Sequence, residues 1–213
     1  MKLYHYVHCP FCIRVRMGFG LLGISYESKV LPYYDEQTPI KLTGTKMLPI
    51  LEISEGNAIN ESLNILKKFD PQNLLAWQVQ DLLSNEVETL ITNLGSQVNS
   101  LCMPYWIWMP EFDPESRKYF QTKKEIKRGP FKNLIKNKEI HLKILNDILF
   151  NELEVKLTPF YNSSTLTIVD IMIASHIWGM YIFPEFQFSV KMHQYLQSVK
   201  HQTHFDYHHD FWK

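Results

Sequence analysis

The sequence has few cysteines, few glycines and no excess of charge of either sign. Three cysteines in 213 residues are too few for the disulfide framework that stabilises small secreted domains. Eight glycines and eleven prolines exclude a collagen-like or low-complexity protein. Lysine plus arginine equals aspartate plus glutamate, at 22 each, so the whole molecule lacks the charge of a polyanion-binding protein. We therefore expect no nucleic-acid partner.

Long apolar runs are also missing. The most apolar stretch, residues 168–183, is interrupted by Asp170, Ser175 and His176, whereas about 20 apolar residues are needed to span a bilayer. The first residues do not form the apolar run with a small-residue cleavage site that marks a secretion signal. The sequence therefore predicts a buried core helix near residue 170, no membrane partner and a location in the reducing cytoplasm.

The first 70 residues alternate between strand and helix patterns. Hydrophobic residues make up 45% of the chain and charged residues 21%, which are ordinary values for a globular protein. The patterns predict strands at residues 2–7, 25–30, 49–53 and 58–59, and helices at residues 13–22 and 61–69. Two strands joined through a helix predict a parallel, right-handed βαβ unit, and a ββα unit follows it.

After this region the chain has helical spacing throughout. The segment at residues 70–73, Asp-Pro-Gln-Asn, breaks the pattern and predicts a domain boundary. Further helices are predicted up to about residue 102, from the cap at Asp113 to Gly129, and at residues 131–153. Thr167 and Asp170 have the spacing of a capping box. The expected organisation is an α/β domain at residues 1–70, a linker at 71–73 and an all-helical domain at 74–213.

Cys9 and Cys12, separated by Pro10 and Phe11, carry the strongest chemical signal. Such a pair can be a redox centre, half of a metal site, or a relic without function. A structural zinc site needs four ligands, and Cys102 has no second pair beside it. The position between a strand and a helix of a βαβ unit favours redox chemistry. Cys9 is then expected at the helix N-terminus, where the partial positive charge favours the thiolate.

Two weaker signals accompany the cysteine pair. Pro49 follows Leu48 at the start of a strand, where a cis bond would present the Leu48 backbone to a peptide-like ligand, although trans is the default. Glu61 and Ser62 open a helix, where a hydroxyl and free N–H groups bind a carboxylate and the glutamate accepts from an ammonium group. These two residues suit the α-amino-acid end of a ligand, or they form an ordinary helix cap.

Three segments in this order resemble the motifs of the glutaredoxin and glutathione-transferase superfamily: Cys9-Pro10-Phe11-Cys12, Leu48-Pro49 and Glu61-Ser62. The whole chain is most similar to the large bacterial glutaredoxins. The resemblance implies an α/β, thioredoxin-like N-terminal domain of βαβ-ββα topology and an all-α, glutathione-transferase-like C-terminal domain. The motif departs from the common glutaredoxin pattern at Phe11, where tyrosine is usual.

The resemblance also implies a function, that of a glutathione-dependent thiol–disulfide oxidoreductase with Cys9 and Cys12 as catalytic residues. The expected glutathione-binding residues are Leu48, Pro49, Glu61 and Ser62. Glutathione is expected as co-substrate, with no metal and no nucleotide, and the other partners are glutathionylated or disulfide-bonded proteins. The expected protein is a monomer that serves electron transport and cell redox homeostasis. A glutathione transferase and a non-catalytic glutathione-transferase-like binding module stay open as alternatives.

Other features have two interpretations each. Cys102 is either a buried small side chain or a regulatory thiol. The stretch at residues 113–143, which is rich in lysine and arginine, is either a solvated helix face or a surface for acidic partners. The aromatic residues around Pro104 pack between helices or line a hydrophobic cleft. His8 is adjacent to Cys9 and could tune its pKa, and the histidines at residues 201–209 could bind a metal.

Overall fold

The protein is described by a computed structural model that covers residues 1–206. Its N-terminal part contains four strands and two helices in the predicted βαβ-ββα order, with one additional short helix, α2. The elements are β1 Lys2–His5, α1 Pro10–Leu21, β2 Glu27–Val30, α2 Gln37–Thr43, β3 Ile50–Ser54, β4 Asn57–Asn60 and α3 Ser62–Phe69.

The strands form one mixed sheet in the order β2-β1-β3-β4. Strand β1 is parallel to β2, with Leu3 opposite Ser28, and antiparallel to β3, with Leu3 opposite Leu51. Strand β4 is antiparallel to β3 and places Ile59 opposite Leu51. Parallel strands need a crossover, and α1 supplies it. The loop that contains Cys9 therefore leaves the end of a central strand.

Some boundaries in this part differ from the prediction. Strand β1 ends at His5 and not at residue 7, because the N–H groups of Val7 and His8 donate to the Glu111 side chain. Helix α1 begins at Pro10 and not at residue 13, since the fixed φ of proline suits a first helical turn. Helix α2 was not predicted; its C-cap is Gly44, whose φ of 77° suits glycine.

The remainder of the described chain is helical. Its helices are α4 Trp77–Trp106, α5 Pro114–Arg128, α6 Phe131–Lys136, α7 Lys138–Ile148, α8 Ile168–Ile177 and α9 Val190–Thr203. Among residues 1–206, none of the helices is both long enough and apolar enough to cross a membrane.

Two predicted helix boundaries in this part were wrong. Helix α4 continues through Pro104 to Trp106, because the burial of this last turn against neighbouring helices outweighs the cost of a proline within a helix. The single helix predicted at residues 131–153 is divided at Asn137, whose ψ of 14° lies outside the helical range. It then ends in a π-helical turn, Leu149–Leu153.

The predicted capping box of α8 is confirmed. Thr167 accepts from the N–H of Val169, and Asp170 accepts from the N–H of Thr167 at 2.8 Å. The same carboxylate accepts from the Tyr161 N–H at 2.8 Å and the Tyr195 hydroxyl at 3.2 Å. Every residue of α8 is buried, so the capping box also satisfies polar groups of the core.

Helix α1 lies between the two parts of the molecule and packs on α3, α8 and α9. Two glycines allow the closest of these approaches. A Cβ atom on Gly18 would lie 2.4 Å from a methyl carbon of Leu66, and one on Gly20 would lie 1.7 Å from the backbone oxygen of Thr203. The helix that follows Cys9 is therefore held by the C-terminal helices α8 and α9 as well as by α3.

Candidate redox site

Cys9 is the N-cap residue of α1, as predicted, with Pro10 in the first helical position. Its carbonyl accepts from the N–H of Ile13 at 2.9 Å, and its side chain is partly exposed. The hydrogen bond with Cys12, the charge of His8 and the N–H groups at the helix start lower the pKa of Cys9 to about 6, although burial opposes them. Cys9 therefore has the position and the charge state of a nucleophile at neutral pH.

Cys12 lies one helical turn further along α1 and differs from Cys9 in its burial and in the pKa of its thiol. Its side chain is completely buried, and its sulfur accepts from the N–H of Tyr6 at 3.4 Å. Burial and the neighbouring Cys9 sulfur raise the pKa of the Cys12 thiol. The pair therefore consists of an accessible thiolate and an enclosed thiol that hydrogen-bonds to it.

The bond between Leu48 and Pro49 is cis, which the sequence left open with trans as the default, and a second cis bond precedes Pro159. Leu48 and Pro49 are buried at the start of β3. Leu48 belongs to a small apolar cluster with Cys12, against which Cys9 also packs. The fold thus brings Leu48 against the cysteine pair, although it lies far from both cysteines in the chain.

Glu61 and Ser62 begin α3, with Glu61 as the N-cap and Ser62 as the first helical residue. Glu61 has a φ of 67°, a backbone conformation that costs energy for any residue except glycine, and its side chain makes no capping hydrogen bond. The Ser62 hydroxyl is buried and accepts from Nη1 of Arg14 at 3.1 Å. The pair is therefore not an ordinary side-chain cap.

Arg14 links this helix start to the cysteine motif. It lies on α1, its side chain is buried, and its guanidinium lies 5.1 Å from the centre of the Phe11 ring. Within the described chain its Nε and Nη2 atoms have no hydrogen-bond partner. Burial lowers the pKa of Arg14 to about 10, against the opposing effect of the nearby Cys9 thiolate. A buried cation with unused donors, next to a serine hydroxyl, suits a carboxylate ligand.

Sequence reasoning missed the role of Glu111. Its carboxylate lies between α4 and α5 and reaches the loop before Cys9, where it accepts from the N–H of Val7 at 2.7 Å and that of His8 at 3.1 Å. The Nδ1 atom of His8 lies 2.5 Å from the same carboxylate. Only the position of His8 beside Cys9 was visible in the sequence, since its partner is more than 100 residues away.

Two lysines, Lys46 and Lys124, pack on the aromatic residues next to the site. Lys46 donates to the Tyr33 carbonyl at 2.7 Å and lies 4.1 Å from the centre of the Tyr119 ring. Lys124 lies 5.3 Å from the centre of the Phe120 ring. Burial lowers the pKa of Lys124, while the Cys9 thiolate opposes this effect. Part of the basic stretch at residues 113–143 therefore faces the thiolate.

The remaining predicted features lie elsewhere. Cys102 is completely buried, and burial raises its pKa, as expected for a small core side chain. Trp106 is buried beside His8, whereas Trp108 is exposed. Of the C-terminal histidines, His208 and His209 lie outside the described residues.

Comparison with known proteins identifies relatives of both parts of the chain. The family model "Glutaredoxin 2, C terminal domain" matches residues 86–211, and "Glutathione S-transferase, N-terminal domain" matches residues 3–73. Glutaredoxin 2 of Escherichia coli K12 is 35% identical over 155 residues, which is 70% of this chain and 70% of that protein.

Solved structures give the same result for the fold. The glutaredoxin 2 of Salmonella typhimurium, determined in complex with glutathione, matches with a TM-score of 0.82 and 29% identity, over 96% of this chain and 95% of that chain. The glutathione transferase GSTFuA3 of Phanerochaete chrysosporium matches with a TM-score of 0.77 but only 15% identity, over 96% and 97% of the two chains, which shows the fold alone. The expected thioredoxin-like domain with a glutathione-transferase-like helical domain is confirmed. Since the glutaredoxin 2 model covers more than half of the sequence and the cysteine pair has the geometry of a redox centre, the chain belongs to the glutaredoxin 2 family.

Proposed function

We propose that the protein is a glutathione-dependent thiol–disulfide oxidoreductase that reduces glutathionylated and disulfide-bonded proteins. The observation that carries this proposal is the asymmetry of the cysteine pair. Cys9 is accessible and its pKa is lowered to about 6, whereas Cys12 is buried and its pKa is raised. Thiol–disulfide exchange needs a thiolate that attacks the substrate disulfide and a second thiol that breaks the mixed disulfide formed in this way.

With a glutathionylated protein, Cys9 acts alone. Its thiolate attacks the glutathione sulfur, a bond forms between Cys9 and glutathione, and the protein cysteine leaves as a thiolate that takes up a proton. A second glutathione, as its thiolate, then attacks the glutathione sulfur held on Cys9. Oxidised glutathione leaves and the Cys9 thiolate is restored, so the electron pair comes from glutathione.

With a protein disulfide, Cys12 takes part. Cys9 attacks one sulfur and forms a mixed disulfide with the protein substrate, while the other substrate sulfur leaves as a thiol. Cys12 loses its proton and attacks Cys9, which releases the reduced substrate and leaves a Cys9–Cys12 disulfide. Two glutathione molecules then restore the dithiol and are released as oxidised glutathione. The burial of Cys12 supports this order, because an external disulfide cannot reach its sulfur first.

We infer that glutathione is held by Leu48, Pro49, Glu61 and Ser62. The Salmonella relative was determined with glutathione bound, which supports a site for this tripeptide in the family. The Leu48 backbone next to the cis bond is suited to pair with the peptide of glutathione. Ser62 accepts from Arg14, so its own hydroxyl proton is free to donate to the γ-glutamyl carboxylate, and Glu61 is suited to the ammonium group.

The organisation and setting of the protein are proposed on the same basis. We propose a thioredoxin-like domain at residues 1–70, a linker at 71–73 and a helical domain from residue 74. The turn between α3 and α4 supports this division, because Asp70 accepts from the N–H groups of Leu74 and Leu75 and closes the turn locally. A monomer that works in the cytoplasm, where glutathione supplies the electrons, fits this function.

Two activities and two variants test the proposal. Glutathione-dependent reduction of the mixed disulfide of glutathione and 2-mercaptoethanol is expected, and conjugation of glutathione to an aromatic chloride is expected to be negligible.

Cys9→Ser should abolish reduction of every disulfide. Cys12→Ser should keep much of the activity on glutathionylated substrates and lose it on protein disulfides, since external glutathione can replace Cys12 only in the first case. Conjugation without reduction would instead support a glutathione transferase.

A further inference from the structure

The C-terminal helices supply a carboxylate to the redox loop. Glu111 precedes α5, and its side chain is only 5% exposed. It accepts hydrogen bonds from the backbone of Val7 and His8 and from the His8 ring. Val7 and His8 are the two residues before Cys9, so one carboxylate from the other part of the molecule binds the segment that carries the nucleophile.

The hydrogen bonds keep this buried carboxylate ionised. Burial by itself would raise the pKa of Glu111, but the charge of His8, the His8 hydrogen bond and the two backbone N–H groups outweigh it, and the pKa lies below its usual value. A buried carboxylate without such partners would be strongly destabilising. Glu111 therefore needs the contact with His8 in order to remain ionised inside the protein.

The His8 ring is enclosed on its remaining sides by aromatic residues. Its side chain is 6% exposed, and the centres of the Phe112, Phe120 and Trp106 rings lie 5.1–5.4 Å from its own. Tyr6 and Tyr33 complete the enclosure. Water is thus excluded from around the imidazole, and a charge on it acts strongly on its neighbours. The titratable groups that face His8 are Glu111, the two tyrosines and the adjacent Cys9.

We propose that Glu111 is a positioning residue of the redox site: its carboxylate holds the His8 imidazole beside Cys9 and thereby favours the Cys9 thiolate. The proposal rests on the proposed function and deepens it, because it makes the reactivity of the N-terminal motif depend on a contact from the helical part. Glu111 acts only through His8 and the loop.

The other groups around Cys9 do not replace this contact. Cys12 and Arg14 face Cys9 from α1 itself, and Lys124 faces it from α5. Tyr6 and Tyr33 face it from the loops that follow β1 and β2. Arg14 and Lys124 are cations, but His8 is the charged group that lowers the pKa of Cys9 most. The side chain that fixes the His8 ring is therefore the one expected to control Cys9.

The sign of the effect distinguishes this proposal from a simple charge effect. Glu111 is an anion, and its charge contributes to the raised pKa of Cys12. If Glu111 acted on Cys9 only through space, its removal would lower the pKa of Cys9. If it acts by holding His8, its removal raises the pKa of Cys9. Neutralising Glu111 without changing its shape therefore has opposite outcomes under the two explanations.

Glu111→Gln tests this directly. The pH dependence of iodoacetamide alkylation at Cys9, followed by mass spectrometry, gives the pKa of Cys9 without any need for glutathione activity. We expect a rise of about one pKa unit, so that alkylation at pH 5.5 slows by about eightfold and is restored above pH 8. Recovery at high pH separates a positioning effect from a loss of structure. Glu115→Gln, which neutralises an exposed glutamate four residues away, is the matched control and should leave the profile unchanged.

His8→Gln supplies a second, independent variant. It should raise the pKa of Cys9 in the same direction, even if Glu111→Gln folds poorly. In the double variant, Glu111→Gln should cause no further rise in the pKa of Cys9, because the His8 ring through which Glu111 acts is missing. An unchanged or lowered pKa of Cys9 in folded Glu111→Gln overturns the proposal, as does an equal rise from Glu111→Gln in the presence and absence of His8. The alkylation profile can be measured whether or not the protein is a reductase. An absence of reductase activity in the wild-type protein would therefore contradict the proposed function and leave the test of Glu111 intact.

Discussion

At the scale of single residues, the position of each thiol relative to the surface decides its role. Cys9 and Cys12 share one helical turn, yet the first caps the helix and the second is enclosed by Tyr6, Leu48 and Ile50. The pKa of Cys9, at about 6, means that its thiolate prevails above pH 6 and is lost as the pH falls below that value. An attacking thiol whose pKa is near the ambient pH combines a high thiolate fraction with good nucleophilicity.

The start of α3 gives a prediction at the residue scale. Glu61→Gln and Ser62→Ala should each raise the apparent KM for glutathione about 5- to 150-fold, because a hydrogen bond to a charged group contributes about 1–3 kcal/mol. The double variant should lose less than the sum, since both residues act on one end of the ligand. Titration of glutathione in the mixed-disulfide assay measures the effect.

Reduction of bis(2-hydroxyethyl) disulfide by dithiothreitol serves as the control reaction for these variants, because neither reagent has an α-amino-acid end. Its rate should not change, and neither should the alkylation profile of Cys9. A KM for glutathione that stays at the wild-type value in both single variants would contradict the assignment of Glu61 and Ser62 to the ligand. It would leave the Arg14–Ser62 hydrogen bond with a structural role only.

At the scale of elements, two helix caps have the same chemistry and different surroundings. Asp113 accepts from the N–H of Ser116 at the exposed start of α5. Asp170 is buried at the start of α8 and accepts from Thr167, Tyr161 and Tyr195. Removal of the first carboxylate exposes one donor to water, whereas removal of the second leaves several donors unsatisfied in the core.

This difference predicts unequal losses of stability. Asp113→Ala should lower the free energy of unfolding by about 1 kcal/mol, the usual cost of an N-cap. Asp170→Ala should lower it by about 3–5 kcal/mol, because each unsatisfied buried polar group costs about 1–3 kcal/mol. Urea denaturation followed by circular dichroism measures both values. Equal losses in the two variants would show that Asp170 contributes only a cap.

The helix boundaries show which features local sequence patterns can predict and which they cannot. The helix at α1 and the cap of α8 could be predicted, because the signals are contiguous: Pro10 after a strand, and Thr167 three residues before Asp170. The interruption at Asn137 and the continuation of α4 through Pro104 could not. In both segments packing against neighbouring helices, and not local preference, sets the boundary. The glycines at positions 18 and 20 are required by contacts with Leu66 and Thr203, which the sequence does not display.

At the scale of the whole molecule, the two parts share one hydrophobic core. Residues of α1 and β3 belong to the same buried cluster as residues of α4 and α8, and α1 packs directly on α8. The buried contact of Glu111 with His8 adds a polar link. Neither part therefore keeps its buried surface if the other unfolds.

This continuity predicts a single cooperative unfolding transition. All five tryptophans follow residue 76, whereas Cys9 and Cys12 lie in the first twelve residues, so each part has its own probe. Tryptophan fluorescence and the alkylation of Cys12 should report the same urea midpoint. A Cys12 that becomes reactive at a clearly lower urea concentration than the fluorescence change would mean that the thioredoxin-like part unfolds separately.

The sequence by itself determined the βαβ-ββα order, the position of Cys9 at a helix start and the cap of α8. These features follow from residues close together in the chain, where strand alternation, proline geometry and capping preferences act locally. Only the tertiary structure decided which side chains meet at the cysteine pair. Arg14 and Ser62 are 48 positions apart, and His8 and Glu111 are 103 apart. Contacts over such separations depend on how helices pack around a shared core, and no local pattern in one sequence encodes that packing.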